Sequence, residues 1–514
     1  MKILIVLGFL SLGLIASAAN TYYIATNGSD SNPGTLALPW KSWQKGFNSL
    51  LAGDILYIRG GNYTVMYSAA RGVSISGKNG TTNNRIIVLA YPGEIPVLDC
   101  SSLALDAASS HYGILLNNCN YWNIKGLTVK NVREHSSLSR PTAGWELGSG
   151  CTNITLDQCI VTGCGNGFTL SGTLYNIKYL NCDAYLNYDY YDGGGLANGF
   201  NGNVRVGSTI TYEGCRSWSN SDEGWDNYAG SGYMTYYNCW AYRNGYDVPT
   251  SGNGDGFKLG YDNKSPYVNE PGIQRTLYNC ISAANKLMGY DESMDGINGM
   301  DMALYNCIAY GNTRDYGFRF YKTTGTSVTT LKNNIAYLNN VNYQGRAANI
   351  SSNNTWDAGA PIVTNSDFVS IDMSQLILPR KADGSLPDIT CFHLATGSDL
   401  INAGTNIGRP FNGSTPDLGP FESDPPTGQL HPQTGNISVY PNPARTFVDI
   451  SRIENRGGTQ SVRIFDLTGA LVSEAILNPD ISNRISLNFK PGLYILQVNA
   501  GSEVLSVNKL IVIE

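Results

Sequence analysis

A nine-residue pattern returns six times through the middle of the chain, and it restricts the possible fold more than any other feature. It reads Tyr179-Leu-Asn-Cys182-Asp-Ala-Tyr-Leu-Asn187, Tyr212-Glu-Gly-Cys215-Arg-Ser-Trp-Ser-Asn220 and Tyr236-Tyr-Asn-Cys239-Trp-Ala-Tyr-Arg-Asn244. It continues as Leu277-Tyr-Asn-Cys280-Ile-Ser-Ala-Ala-Asn285, Leu304-Tyr-Asn-Cys307-Ile-Ala-Tyr-Gly-Asn312 and Leu331-Lys-Asn-Asn334-Ile-Ala-Tyr-Leu-Asn339, the last with Asn at the Cys position. Cys159 and Cys164 form an earlier, variant copy. From Cys159 the Cys-equivalent positions are separated by 23, 33, 24, 41, 27 and 27 residues. A helical repeat of fixed length would not vary so widely. A β-solenoid does, because its strands keep their length while its turns accept insertions.

Stacked coils explain the residue types. Alternating apolar residues, as in Ile124-Lys-Gly-Leu-Thr-Val129, suit strands with one face inward. Small apolar Cys suits an inward column, and Asn five residues later suits a turn that bonds its own backbone and its neighbours above and below. Cys182, Cys215, Cys239, Cys280 and Cys307 therefore read as reduced core residues. No CxxC or Cys/His cluster suggests metal ligation, although disulfides between successive coils remain geometrically open, at about 4.8 Å per coil. The fold expected is all-β: a right-handed parallel β-helix over about residues 50–360, followed by a small C-terminal β-sandwich.

The flanks define the organisation. Lys2, the apolar run Ile3 to Ile15 and Ala16-Ser17-Ala18 read as a signal peptide over residues 1–18; the run is short for a membrane span of about 20 residues. Residues 19–422 form the expected β-helix domain with its N-terminal cap, from Tyr22 to Tyr63, and its closing segments Arg380 to Pro387 and Asp417 to Glu422. Residues 423–436 have a linker composition. In residues 437–514, Val439-Tyr-Pro-Asn-Pro443, Val462 to Gly469 and Pro491 to Val498 alternate as short strands between turns. The formal charge of −6 and the lack of a basic stripe argue against nucleic acid as a partner, and a monomer is expected. An acidic protein acting on an acidic polymer would need a cation between them.

Chemistry concentrates on three neighbouring coils: Leu196-Ala-Asn-Gly-Phe200, Ser221-Asp-Glu-Gly-Trp-Asp226 and Asn253-Gly-Asp-Gly-Phe-Lys-Leu-Gly260. Asp222, Glu223 and Asp226 repel one another unless a cation lies among them, and Ca²⁺ takes six to eight oxygen ligands of this kind. A solvated acidic turn is the alternative. Arg216, Arg243 and Arg275 are candidates to bind substrate carboxylates. Tyr188, Tyr190, Tyr191 and Trp225 are candidates to stack on sugar rings.

These segments resemble the core motifs of polysaccharide lyase family 9, approximately ADGF, SDDGFD and GNGFKLGG. The resemblance extends over about residues 21–422, and Gly289-Tyr-Asp-Glu292 resembles a further family segment, GFDQ. It implies Ca²⁺ bound at Asn198, Asp222, Glu223 and Asp226, and Lys258 as the catalytic lysine. Two positions depart from the family: Asn198 stands where the family has Asp, and Glu223 is one methylene longer than Asp. The tail resembles the C-terminal sorting domain of the type IX secretion system. That implies a secreted or cell-surface protein, exported across the outer membrane of a Gram-negative bacterium by that machinery; a carbohydrate-binding or spacer module is the alternative.

The activity implied is a calcium-assisted pectate lyase cleaving polygalacturonate. Lys258 would take the C5 proton once burial and the cation lower its pKa from near 10.4. A rhamnogalacturonan I lyase of the same family keeps this chemistry on another polymer. A hydrolase with paired carboxylates would not need Lys258, and a glycan-binding β-helix adhesin would use the surface without turnover.

Overall fold

The structure is a computed structural model. It describes residues 19–65, 70–106, 109–136, 142–191, 193–228, 230–246, 252–260, 270–293, 300–318, 328–338, 341–343, 350–423, 438–440, 444–451, 460–466, 470–477, 483–500 and 503–512. The signal peptide, the linker from 424 onward, Asn339 and Pro441–Pro443 lie outside the described residues. The chain divides into two units, 1–423 and 424–514.

In the first unit the chain winds through three parallel sheets of twelve, ten and ten strands among the described residues. One coil shows the path: Asn120–Lys125 in the first sheet, Thr128–Lys130 in the second, Thr142–Leu147 in the third, then Thr152–Asp157 directly beside Asn120–Lys125. The run Ile124 to Val129 is thus two short strands meeting at Gly126, whose φ of 76° only glycine takes easily. The first sheet begins at Thr21–Ile24 and ends at Ile350–Ser352, so the solenoid starts earlier than residue 50.

Each column of the repeat has a physical cause. Asn181, Asn238, Asn279 and Asn306, which precede the column cysteines, all have φ between 52° and 54°. Asn tolerates this left-handed conformation and so turns the chain from the first sheet into the second. The cysteines that follow are buried and free, as expected. Five residues on, buried asparagines pass side-chain hydrogen bonds from coil to coil: Asn187 to Asn220 (2.8 Å), Asn220 to Asn244 (2.9 Å), Asn244 to Asn285 (2.9 Å) and Asn285 to Asn312 (3.0 Å). The donated N–H and the accepting carbonyl are matched at every step, so a polar ladder is sustained in the interior.

Beneath the third sheet, Phe168, Phe200, Trp225, Phe257, Tyr290 and Tyr316 stack with centroid spacings of 4.5–5.2 Å. Trp225 is fully buried in this stack and offers no face to a sugar, contrary to expectation. After the last coil, the segment through Phe368, Leu376, Phe392 and Leu418 covers the outer face of the second sheet at Trp240, Ile281, Ile308 and Ile335. An ion cluster pins it: Asp183 accepts from Arg216 (Nη2, 2.8 Å) and from Arg380 (Nη2, 2.6 Å), while Arg216 Nη1 also donates to the carbonyls of Leu376 and Leu378. Arg216 is therefore structural. So is Arg275, fully buried, whose guanidinium donates to the carbonyls of Leu259, Gly230 and Gly232.

The second unit holds a three-stranded and a four-stranded antiparallel sheet, as a small sandwich requires. Val448, Ile450, Val462, Ile464, Leu496 and Leu510 share its core.

Candidate active site

Side chains alternate across a strand, so the residue after each member of the aromatic stack points outward from the third sheet. The register aligns Thr169, Asn201, Asp226, Lys258 and Asp291 in one column, about 4.8 Å per step. Lys258 thus sits between Asp226 on the preceding coil and Asp291 on the next.

The turns leading into these strands supply a second column. Gly199 N–H donates to Glu223 O (3.0 Å) and Gly224 N–H to Asp255 O (2.8 Å), which aligns Asn198, Glu223 and Asp255. The glycines are required: a Cβ on Gly199 would lie 2.0 Å from Ser217 Oγ and one on Gly224 2.6 Å from Gly256 O. Asp255, buried, accepts from Met288 N–H (2.8 Å). Asp255 and Asp291 lie in motifs quoted from the sequence but receive no role there; aligning the turn and strand positions of each coil would have assigned them to the site.

The structure brings Asn198, Asp222, Glu223, Asp226 and Lys258 together. Asn198 Oδ1 accepts from Glu223 N–H (3.1 Å), and its Nδ2 donates to Asp226 Oδ2 (3.4 Å). Asp222 Oδ1 accepts from Asn253 N–H (2.9 Å), and Asp226 Oδ1 from Tyr228 N–H (2.8 Å). Lys258 Nζ donates to Glu223 Oε1 at 2.9 Å, with the lysine side chain 14% exposed and the glutamate 0%. It also lies 5.2 Å from the centroid of the Tyr228 ring.

The electrostatics follow. Burial, then repulsion from neighbouring carboxylates, raises Asp222, Glu223 and Asp226, the last to about 6. Burial alone would lower Lys258, but Glu223, Asp226 and Asp222 outweigh it and hold the ammonium well above its ordinary range. In the protein's own field the carboxylates dominate; the lowering expected from sequence rests on a bound cation as well as on burial.

The donor set fits a hard divalent cation in kind and charge. It offers three carboxylates and an amide oxygen, and Glu223 Oε2 is buried without a hydrogen-bond partner. As arranged here, no group of three His, Cys, Asp or Glu side chains among the described residues is gathered closely enough to hold a metal. A cation placed there would compete with Lys258 for Glu223 Oε1.

Known proteins resemble the chain over most of its length. The family model described as "Pel9A-like, right handed beta helix region" matches residues 22–354, and "Secretion system C-terminal sorting domain" matches 438–514. Pectate lyase L of Dickeya chrysanthemi is 32% identical over 416 residues, 79% of this chain and 91% of that protein. Pectate lyase PEL9 of Emericella nidulans is 29% identical over 426 residues, 76% of this chain and 96% of that protein. The crystal structure of pectate lyase Pel9A superposes with a TM-score of 0.66 at 28% identity, over 79% of this chain and 97% of that one. A rhamnogalacturonan lyase superposes with a TM-score of 0.63 at 25% identity, over 74% and 97%.

Fold and relatives together define a polysaccharide lyase of the pectate lyase type on a right-handed parallel β-helix. Within that class the chain belongs to the Pel9A-like β-helix family. Its tail is a secretion sorting domain, which marks the protein for type IX export to the cell surface or beyond.

Proposed function

We propose that this lyase cleaves polygalacturonate by β-elimination, with Lys258 as the base and Ca²⁺ held by Asn198, Asp222, Glu223 and Asp226. The observation that carries the reading is the position of Lys258. It is the ammonium on the outward column, partly open to solvent, beside the carboxylate cluster in the preceding coil.

A divalent cation held by those carboxylates would supply positive charge beside a substrate C6 carboxylate and so stabilise the enolate-like state formed as C5 loses its proton. With Asp222, Glu223 and Asp226 engaged by a cation, Lys258 would lose the charges that hold it protonated, and burial would favour its neutral form. The neutral Nζ takes the C5 proton. The C5–H and C4–O4 bonds break, a C4–C5 double bond forms, and the leaving O4 takes up a proton passed on through solvent. The aromatic stack beneath Lys258 and the tight glycine turns beside it hold these groups in fixed register.

A second substrate is favoured by a specific observation. Asn198 and Glu223 depart from the family pattern, and one solved relative is a rhamnogalacturonan lyase. Rhamnogalacturonan I would present the same C5 proton. Mass analysis of products from the two polymers tests both readings: an unsaturated uronate end on the polygalacturonate product supports the first, and on rhamnogalacturonan I alone the second. Saturated ends would indicate hydrolysis and overturn both.

Secretion by the type IX machinery of a Gram-negative bacterium, after removal of residues 1–18, completes the reading.

A further inference from the structure

Many tyrosines of the β-helix are stacked inside it, as Tyr179, Tyr212 and Tyr236 are, with spacings of 5.1 and 5.0 Å. One group behaves differently. Tyr188, Tyr190 and Tyr191 are 38%, 58% and 50% exposed, and the rings of Tyr190 and Tyr191 meet edge to face at 5.3 Å. They line a groove of about 280 Å³ together with Arg133, Glu134 and Gly163.

The groove is built and lies on the edge of the sheet that carries the active site. The tyrosines belong to the turn that ends at Asn198 and enters the strand Phe200–Val204. Asp189, buried, fixes the loop by accepting from Leu196 N–H (2.7 Å), and Tyr191 N–H donates to Glu134 Oε2 (3.2 Å), reaching back toward earlier coils. Gly163 lies in the turn entering Phe168–Gly172, and Arg133 and Glu134 in the turn entering Thr142–Leu147. From Lys258 these are three and four steps along the sheet, through the paired strands at Trp225, Phe200, Phe168 and Trp145. The tyrosines' own turn is two steps away, so at about 4.8 Å per step the groove extends from about 10 to 19 Å from the base along the solenoid axis.

We infer that this groove is a distal subsite for the acidic polysaccharide, holding sugar units several residues away from the bond that Lys258 breaks. This rests on the lyase reading and deepens it. The C–H face of a pyranose ring is apolar and covers an exposed aromatic ring, removing both surfaces from water. Arg133 presents a guanidinium to a uronate carboxylate in the same groove. The occupant is the same chain that is cleaved: the groove lies beside the outward column, toward the earlier coils of the same sheet, so a longer chain bound at Lys258 covers more of it than a short fragment does.

The test compares Tyr190→Ala/Tyr191→Ala with wild type and with Tyr190→Phe/Tyr191→Phe, on long polygalacturonate or rhamnogalacturonan I and on short oligosaccharides of the same polymer. The quantity read is KM for the polymer relative to KM for the fragment. The expected result is a rise of about tenfold in that ratio for the alanine variant, with most of the polymer affinity kept by the phenylalanine variant, whose rings remain. An unchanged ratio, or an equal loss on both lengths, overturns the distal subsite while leaving the lyase reading in place. A wild-type protein that forms unsaturated product from neither polymer overturns the lyase reading and the subsite with it.

Discussion

Lys258 and Glu223 hold each other across neighbouring coils, Nζ to Oε1 at 2.9 Å, while the second carboxylate oxygen of Glu223 is buried without a hydrogen-bond partner. An aspartate at this position, one methylene shorter, would reach less far toward the lysine. The extra methylene therefore couples the proposed base to the proposed cation site, and the two compete for one carboxylate.

The coupling predicts how calcium dependence responds to substitution. Asn198→Asp adds a fourth carboxylate, and the half-saturating calcium concentration should fall by about tenfold, since affinity follows ligand charge. Glu223→Gln removes one charge and should raise it by a similar factor. Calcium titrations of initial rate, with direct binding by calorimetry as a check, measure both.

The closing segment depends on a buried charge cluster. Asp183→Ala leaves the guanidiniums of Arg216 and Arg380 without their carboxylate and should cost about 3–5 kcal/mol. Denaturant unfolding measures the loss. Limited proteolysis should show earlier cleavage between residues 365 and 423 than in wild type.

The asparagine ladder predicts a core penalty far from the active site. Asn244→Ala removes the acceptor of Asn220 Nδ2 and the donor to Asn285 Oδ1, leaving buried groups unpaired. The expected cost is about 2–3 kcal/mol, read as a lower unfolding midpoint.

Glu422 gives a pH signature. Burial, then the charge of Asp417, raises its carboxyl from 4.5 to about 7. The folded state holds the proton more tightly than the unfolded chain does. This contribution is therefore full below about pH 4.5 and is lost as pH rises through about 7. Glu422→Gln should remove that part of the pH dependence, so that wild type loses roughly 2 °C more than the variant in melting temperature between pH 5 and pH 8. Scanning calorimetry at those two pH values decides it.

The solenoid was legible because its signals are local. A small residue in the cysteine column, and asparagine at fixed offsets from it, follow from one coil's geometry whatever the insertions between coils. Asp222, Glu223, Asp226 and Lys258 were legible as a charged group on adjacent coils. Asp255 and Asp291 lie in quoted motifs but received no role, because turns of unequal length hide which residues share a column until the strands are paired. Arg216 and Arg275 misled for a different reason: a charged residue suggests solvent, whereas carbonyls and Asp183 satisfy these guanidiniums in the interior. Trp225 suggested a sugar platform, but its strand position turns it inward. The Lys258–Glu223 ion pair was not legible either, because it depends on a distance between coils that no sequence pattern states.

The most direct test of the central claim is the initial rate of unsaturated uronate formation from polygalacturonate and rhamnogalacturonan I, followed by ultraviolet absorbance. It compares wild type with Lys258→Ala, each with calcium and with chelator. The expected result is a calcium-dependent rise in the wild type on at least one polymer, reduced at least about a hundredfold in the variant. A variant that forms product at the wild-type rate, in a folded protein, would contradict the assignment of Lys258 as the base.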